Sequence, residues 1–565
     1  MMMKIAYPYR FLLIIGVLVI LSLIVMFYSN GEDKTSTDEP EVPIVEVVPI
    51  IEKEPINMVE EQSKYKKASE LGMAKDNADA GDSNADIFTT ALNNNGGITI
   101  DGSYYIGYAD EDVTNNQIEI IGMDGAELIF DNEDITVLFD PNELKSLTIR
   151  NLGFVNLNIK KSLFIVHHGD EGKSTKTDKI IIEDSTFDGE ISLYRDRGVT
   201  SMNPNTVDFG IDTFVFNNNT VTNTTLSFIV LTDMPLRHVE IGHNDIRNFK
   251  YVFFNASITN GIQYEDEIFE SRDYMHVHHN TVINDDDWWA QEGSGSYHAF
   301  VLVENLEVLY EFNHVEGLKA DFDVSLYDAY LSSRFVTYTN NTWINNVSFE
   351  KDKIYNNLIK SKGGNVNGVP VNRVYTNNTF IIEESYAERL GQSKEDLFVY
   401  FYDLTTSADN YTIENNIIDV YDLRFVKSSD LISHFKFNNN VIKAKYALGS
   451  LVIIRLTDDD LPTIQVNNNT VEIEQTNDHP SGDDVGLRMI GMVDDRSTKT
   501  NTQKAELIEM KGNTIVAPLT YLMYNTIAKK IEVDDNSITV IGERFVSMVN
   551  NDEHPQLLKI DINKK

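Results

Sequence analysis

From Ile98 onward, short runs of the chain alternate apolar and polar side chains with the period of two that half-buried strands require. Many of these runs end the same way: polar residues finishing in Asn, then Thr or a similar residue, then a second short alternating run. The pattern is FVFNNNTVTN with its turn at Asn219, VEIGHNDIRN at Asn244, VHHNTVIN at Asn280, YEFNHVEG at Asn313, TYTNNTWIN at Asn341 and VYTNNTFII at Asn378. It continues as TIENNIIDV at Asn416, FKFNNNVIKA at Asn440, IQVNNNTVEI at Asn469, MKGNTIVA at Asn513 and VDDNSITV at Asn536. Weaker copies, IRNLGFVN around Leu152 and IIEDSTFDG around Ser185, extend the array toward the N-terminus with the Asn replaced.

Intervals between marked Asn positions run from 23 residues (Asn513 to Asn536) to 44 (Asn469 to Asn513). The shortest fit three short strands and three turns; the excess elsewhere reads as inserted loops, whose length costs little. Each repeat is then one coil of an all-β, single-stranded, right-handed parallel β-helix of about 12 to 13 rungs. Asn has a reason to recur in such a coil. Stacked at one turn, each amide can donate to the amide of the next rung, about 4.8 Å away, while Asn also tolerates left-handed backbone angles. A propeller needs four strands in each roughly 40 to 50 residues and a left-handed helix needs a hexapeptide pattern; neither is present. The N-x-T triplets match glycosylation acceptors but are explained by the turn.

Ahead of the array, residues 82–92 (DSNADIFTTAL) carry Ile87, Phe88, Ala91 and Leu92 at helical spacing behind a capping residue, which predicts a short amphipathic helix. Asn93-Asn94-Asn95-Gly96-Gly97 follows, then the strand, turn and strand of Ile98-Thr99-Ile100-Asp101-Gly102-Ser103-Tyr104-Tyr105-Ile106. This order resembles the start of the pectate lyase-like superfamily, in which a helix covers the open end of the β-helix before a Gly-Gly turn and a Gly-x-Tyr strand begin the first rung. The resemblance implies a capping helix on a right-handed parallel β-helix.

Residues 11–28 form an uncharged apolar run just long enough to span a bilayer, preceded by Lys4 and Arg10 and followed by Glu32, Asp33, Asp38, Glu39 and Glu41. Charge asymmetry puts the N-terminus inside and the remainder outside; no A-x-A-like cleavage site follows the run. The expected organisation is a signal anchor or transmembrane helix over 1–28, an acidic extended linker over 29–80 and the β-helix over 81–565, on the extracellular side of the cell membrane. Composition adds one exclusion and one preference. With 88 acidic against 47 basic residues the net charge is -41, which repels phosphate backbones and excludes nucleic acid as a partner while favouring cations. The absence of Cys removes disulfides, thiolate metal sites and a lipid-bearing Cys.

In an acidic chain, cations gathered on neighbouring rungs are unexpected. Lys360 in NLIKSKG, Lys427 in RFVKSSD and Arg455 in VIIRLTDDD lie on expected outer strands, with Tyr402 in FVYFYD between the first two. A polysaccharide lyase needs a cation to neutralise a uronate carboxylate, a base for the proton α to it and an acid for the leaving oxygen. Lys360 as base, Tyr402 as acid and Lys427 or Arg455 as neutraliser suit those roles. Tyr is also a good strand former and Lys commonly decorates exposed sheets, so both readings stand. The stretch NLIKSKGGN followed by RVYTNNTF resembles the catalytic Lys-Ser segment and Asn-x-Thr-Phe turn of β-helical alginate and chondroitin lyases. That resemblance implies Lys360 as the base; the family's Leu-Arg-His-Gly segment is replaced by FVYFYDLTT, which leaves the acid to Tyr402. The motif set of polygalacturonase-like hydrolases does not occur in order, and Gly242-His243 sits at a marked turn.

A second patch is Asp285-Asp286-Asp287-Trp288-Trp289, in the insertion after Asn280. Three carboxylates supply the oxygen ligands of a Ca2+ site, and indoles stack on sugars, as does Tyr327 on another outer strand. A solvated acidic turn beside a packed hydrophobic loop fits the same residues. Asp458-Asp459-Asp460 is a poorer cation candidate, and His276, His278 and His279 read as structural, since no companion ligand is near in sequence. Together these features predict a membrane-anchored, extracellular β-helix that binds polysaccharide or cell-wall glycan, with lyase chemistry on an acidic polysaccharide favoured if it is catalytic. The competing class is a non-catalytic surface scaffold or adhesin.

Overall fold

A computed structural model describes residues 64–141 and, from there to 564, most strands and turns of the repeat. Residues 1–63 and the longer insertions, among them 257–273, 286–298, 325–334, 346–356, 362–371, 383–398, 477–486 and 494–504, lie outside the described residues.

The alternating runs become strands that pair in parallel with the equivalent strand one coil away. They form three files. The first sheet runs from Gly97–Ile100 to Ala528–Asp534, and the second from Ser103–Tyr105 to Asp561–Lys564. The third runs from Val137–Phe139 to Ser547–Asn550. This is a parallel β-helix. It is longer than the marked motifs suggest, because coils at Ser103–Tyr105, Glu127–Phe130 and Asp561–Lys564 carry no ladder Asn.

Alternation decides what goes inside. In Glu307–Glu311, Phe335–Thr339 and Asn372–Thr376 the second and fourth residues are buried and the others half-buried. Since each coil presents the same position one strand spacing further on, rings of one kind stack: Tyr310 lies on Tyr338 with centroids 4.8 Å apart, and Phe228 on Phe253 at 5.0 Å. Trp343 is buried in the same core. Arg373 departs from the pattern, pairing in register with Val336 and Tyr411 and fully buried, its Nη1 donating to the Asn372 carbonyl at 3.1 Å. Burial lowers its pKa.

The Asn column is continuous. From Asn244 to Asn536 every marked Asn is buried, and each Nδ2 up to Asn513 donates to the Oδ1 of the next at 2.7–3.2 Å. The backbone N–H of each also donates to that Oδ1, as Asn378 does to Asn416 at 3.0 Å. The second Nδ2 proton goes to a carbonyl of the preceding coil, as from Asn378 to Tyr338 at 3.0 Å. Ser185 and Leu152 occupy the same column above Asn219, with Ser185 N donating to Asn219 Oδ1. One expectation is corrected. The ladder Asn is not the left-handed residue; the residue before it is, at Asn218, His243, His279, Phe312, Asn340, Asn377, Asn415, Asn439, Asn468, Gly512 and Asp535.

At the N-terminal end the capping helix spans Gly81–Asn95 and stops at Gly96, whose φ of 70 is the left-handed conformation that closes a helix. The extended linker does not reach residue 80. Ala68, the first residue of a short helix, Ala68–Leu71, is fully buried, and Lys67 bridges in parallel to Thr99. Tyr65 donates to Glu119 at 2.7 Å, Lys64 pairs with the same carboxylate, and Ser69 Oγ and Tyr104 hydroxyl donate to Asp101 at 2.5 and 2.7 Å. Residues 64–80 thus belong to the solenoid's end. The expected membrane span 11–28 lies outside the described residues; among those described, no helix is long and apolar enough to cross a membrane.

Candidate functional site

Three successive coils of the first sheet carry an unusual set of outward residues. Leu236–Gly242, Tyr274–His278 and Glu307–Glu311 stand in register, so His238, Tyr274 and Glu307 share one column, Glu240, His276 and Leu309 the next, and Gly242, His278 and Glu311 a third. Val239, Ile241, Met275, Val277, Val308 and Tyr310 take the alternate positions inside. The polar face is therefore fixed by the apolar one.

Its rings and carboxylates interlock. His276 Nε2 lies 3.1 Å from Glu311 Oε1, and the His276 and His278 ring centroids are 4.0 Å apart. His278 Nδ1 lies 3.2 Å from His279 Nδ1, and His278 Nε2 is 3.7 Å from Glu240 Oε1. Glu240 also accepts from Asn217 Nδ2 at 2.5 Å. Burial, then the neighbouring His278, pushes His276 down to about 3, so its ring is neutral near pH 7. Burial and His278 lower His279 too. Burial and the carboxylates of Glu307, Glu311 and Glu240 raise the Tyr274 phenol, which stays protonated.

Room for the buried His278 ring comes from Gly242. A Cβ there would sit 2.5 Å from His278 Cε1 and 2.6 Å from Nε2, closer than any side chain tolerates. The turn beyond is equally distinctive. In these three coils the left-handed position holds His243 (φ 58), His279 (φ 53) and Phe312 (φ 54), where other described coils of the Asn ladder use Asn, Gly or Asp. The rings stack along the tube: His243 on His279 at 4.8 Å and 18°, His279 on Phe312 at 5.0 Å and 22°. Phe312 remains 48% exposed. One ligand nitrogen each from His243, His278 and His279 lies within 4.8 Å of the others. Reading the sequence missed this trio because His243 and His278 meet only through register, across an insertion.

The residues expected from sequence fall elsewhere. Lys360, on Asn357–Ser361 of the third sheet, pairs in register with Asp323 and Asp403, and Asp403 pairs with Lys427. Tyr402 pairs with Ile359, one position along from Lys360, and Arg455 stands two positions beyond Ile453, the partner of Lys427. The side chains of Lys360, Tyr402, Lys427 and Arg455 lie outside the described residues. So do Asp286, Asp287, Trp288, Trp289 and Tyr327. Asp285 is exposed at a turn, where its carboxylate accepts from Asn248 Nδ2 at 3.2 Å.

No family model matches the chain. No curated protein matches it either. Among solved structures, it is similar to the Azotobacter vinelandii mannuronan C-5 epimerase AlgE6 A-module at 11% identity and a TM-score of 0.25, over 89% of this chain and 98% of that one. It is also similar to the Streptococcus pneumoniae surface protein and adhesin PfbA, at 11% identity and a TM-score of 0.28, over 86% of this chain and 99% of that one.

Proposed function

We propose that the protein is a cell-surface β-helix, held to the membrane by residues 11–28, that binds a polysaccharide or cell-wall glycan on the outer face of its first sheet. The observation that carries this reading is the file of rings at the turn, His243, His279 and Phe312, stacked 4.8 and 5.0 Å apart and ending in the exposed Phe312. Sugar rings pack their apolar faces on such planes, and the half-buried His238, Tyr274 and Glu307, in register at the far end of the same three strands, supply imidazole, hydroxyl and carboxylate partners further along the sheet. A net charge of -41 argues for a neutral glycan, or for an acidic one only through bridging cations, Ca2+ at Asp285–Asp287 included. The test is retention of the detergent-solubilised full chain on immobilised glycans, with and without Ca2+. Binding that falls about tenfold in Phe312→Asn supports the reading, and no retention on any glycan, or equal retention of that variant, sinks it.

Lyase chemistry on a uronate polymer is a second reading, supported by the register pairing of Lys360 with Asp403 and of Asp403 with Lys427, which gathers two cations in one column. In it Lys360 is the base and Lys427 or Arg455 the neutraliser, whereas Tyr402, the acid expected from the sequence, stands at the alternate strand position, one step off the Lys360–Asp403–Lys427 column. Absorbance of an unsaturated uronate product from alginate, pectate or a glycosaminoglycan measures it. Activity unchanged in Lys360→Ala removes this reading and leaves a binding protein or adhesin.

A further inference from the structure

We propose that His243, His278 and His279 form a binding site for a borderline first-row dication of the Zn2+ type, with three imidazole nitrogens as ligands and an open position toward solvent. The inference does not rest on the glycan reading, although His243 and His279 belong to the same file of turn rings. Three imidazoles without thiolate or carboxylate donors suit Zn2+, Co2+, Ni2+ or Cu2+ rather than Ca2+ or Mg2+, which prefer oxygen.

Geometry supports it in four ways. Tetrahedral zinc with bonds of about 2.0–2.1 Å holds its nitrogens roughly 3.3 Å apart, and His278 Nδ1 and His279 Nδ1 already stand at 3.2 Å. The third nitrogen lies within 4.8 Å of both, and His243 is exposed, so a side-chain rotation closes the gap at the expense of its stack on His279. Second, the His278 imidazole has a space made for it by Gly242, where even a methyl group would collide. Third, the far nitrogen of His278 faces Glu240 at 3.7 Å, and Asn217 holds that carboxylate, the arrangement by which outer-shell carboxylates orient a ligating imidazole. Fourth, Phe312 stacks on the other side of His279 and steadies its ring.

The turn itself points the same way. A left-handed residue is required in every coil of the ladder, and Asn, Asp or Gly meets that need with the least strain. Using His at two successive turns gives up backbone comfort and gains two nitrogens beside a third.

The test uses the untagged full chain in detergent, stripped with EDTA and titrated with Zn2+ and, separately, Co2+. One equivalent should bind, with the visible absorption of four-coordinate Co2+ and a higher melting temperature. The double variant His243→Asn/His279→Asn installs the residue that most other coils use, so it should fold unchanged and lose at least about 100-fold in affinity; Glu240→Gln should lose roughly 10-fold. No binding at micromolar metal, or equal binding by the double variant, overturns the site. Should that variant misfold, X-ray absorption of the zinc-loaded native protein decides: a shell with three imidazole nitrogens upholds it, and an oxygen-only shell overturns it.

Discussion

Each turn of the Asn ladder sets two adjacent residues in opposite situations. The ladder residue points inward and is buried, its amide engaged by the coils on both sides. Its predecessor stands outside, with φ near 55 as its sole backbone requirement. The first column is therefore Asn in coil after coil from Asn219 to Asn536, since no other side chain offers two donors and a twofold acceptor at that size. The second varies among Asn, Asp, Gly, His and Phe. Where a polar network is closed, sequence is fixed; where only a backbone angle is demanded, side chains are free to take up chemistry. The imidazole cluster sits where that freedom was used.

Breaking the inner column should have the largest effect. Asn378→Ala removes the acceptor for Asn341 N and Nδ2, and the donor to Asn416 and to the Tyr338 carbonyl. With several buried groups left unpaired, we expect a loss of about 3 kcal/mol or more, seen in urea unfolding and in faster amide exchange of the flanking coils. Asn377→Gly, one residue earlier, keeps the left-handed turn and should change stability by less than about 0.5 kcal/mol. Equal losses at the two positions would dissolve the distinction between the columns.

The same two columns explain what could be read from sequence. The repeat was legible because the amide ladder imposes Asn in coil after coil from Asn219 to Asn536 regardless of loop length. The Asn marked in each repeat is the ladder Asn even in pairs such as Asn377-Asn378 or Asn439-Asn440, where both columns hold Asn, because His243-Asn244, Phe312-Asn313 and Gly512-Asn513 vary only at the first position. The coil around Leu152 was still found, as a weaker copy, but those whose ladder position holds Gly102 or Ala126 escaped the count of rungs, because neither residue carries the polar mark of the repeat. Residues 64–80 read as linker because their apolar side chains, four of them Ala, follow no strand or helix period; they are tied down by Ala68, Met73 and ion pairs that no periodicity announces. The imidazole trio depends on register between coils, which spacing along the chain does not encode.

An intermediate effect is expected at Gly242→Ala, where the added methyl must displace His278 rather than leave an amide unpaired. Overpacking of this kind should destabilise by about 1–3 kcal/mol and disturb the His276–Glu311 contact, which NMR of the imidazoles would report. Acid should separate the neutral ladder from charged contacts in a similar way. Burial raises the Asp101 carboxyl, but hydrogen bonds from Ser69, Tyr104 and Lys75 outweigh it and hold it down at about 2. Because that lies below the unfolded value of roughly 3.9, its contribution is complete above the unfolded value and is lost as pH falls toward 2. Exchange in residues 64–80 should accelerate over that window while ladder amides stay protected, and Asp101→Asn should abolish the difference.

A small stability effect, comparable with that of Asn377→Gly, is expected at Phe312→Asn, and it tests the outer column most directly. A bulky ring in the left-handed region carries strain of about 1–2 kcal/mol that Asn largely avoids. Against this stands the stack on His279, with centroids 5.0 Å apart, in which an aromatic pair is worth about 0.5–1.5 kcal/mol. The two nearly cancel, so the melting temperature should move little while glycan retention falls. A large gain in stability without loss of binding would mean that Phe312 is strained to no purpose. A large loss would mean that the stack, and not the backbone angle, sets what this column can hold, and the freedom attributed to it would be confined to coils without aromatic neighbours.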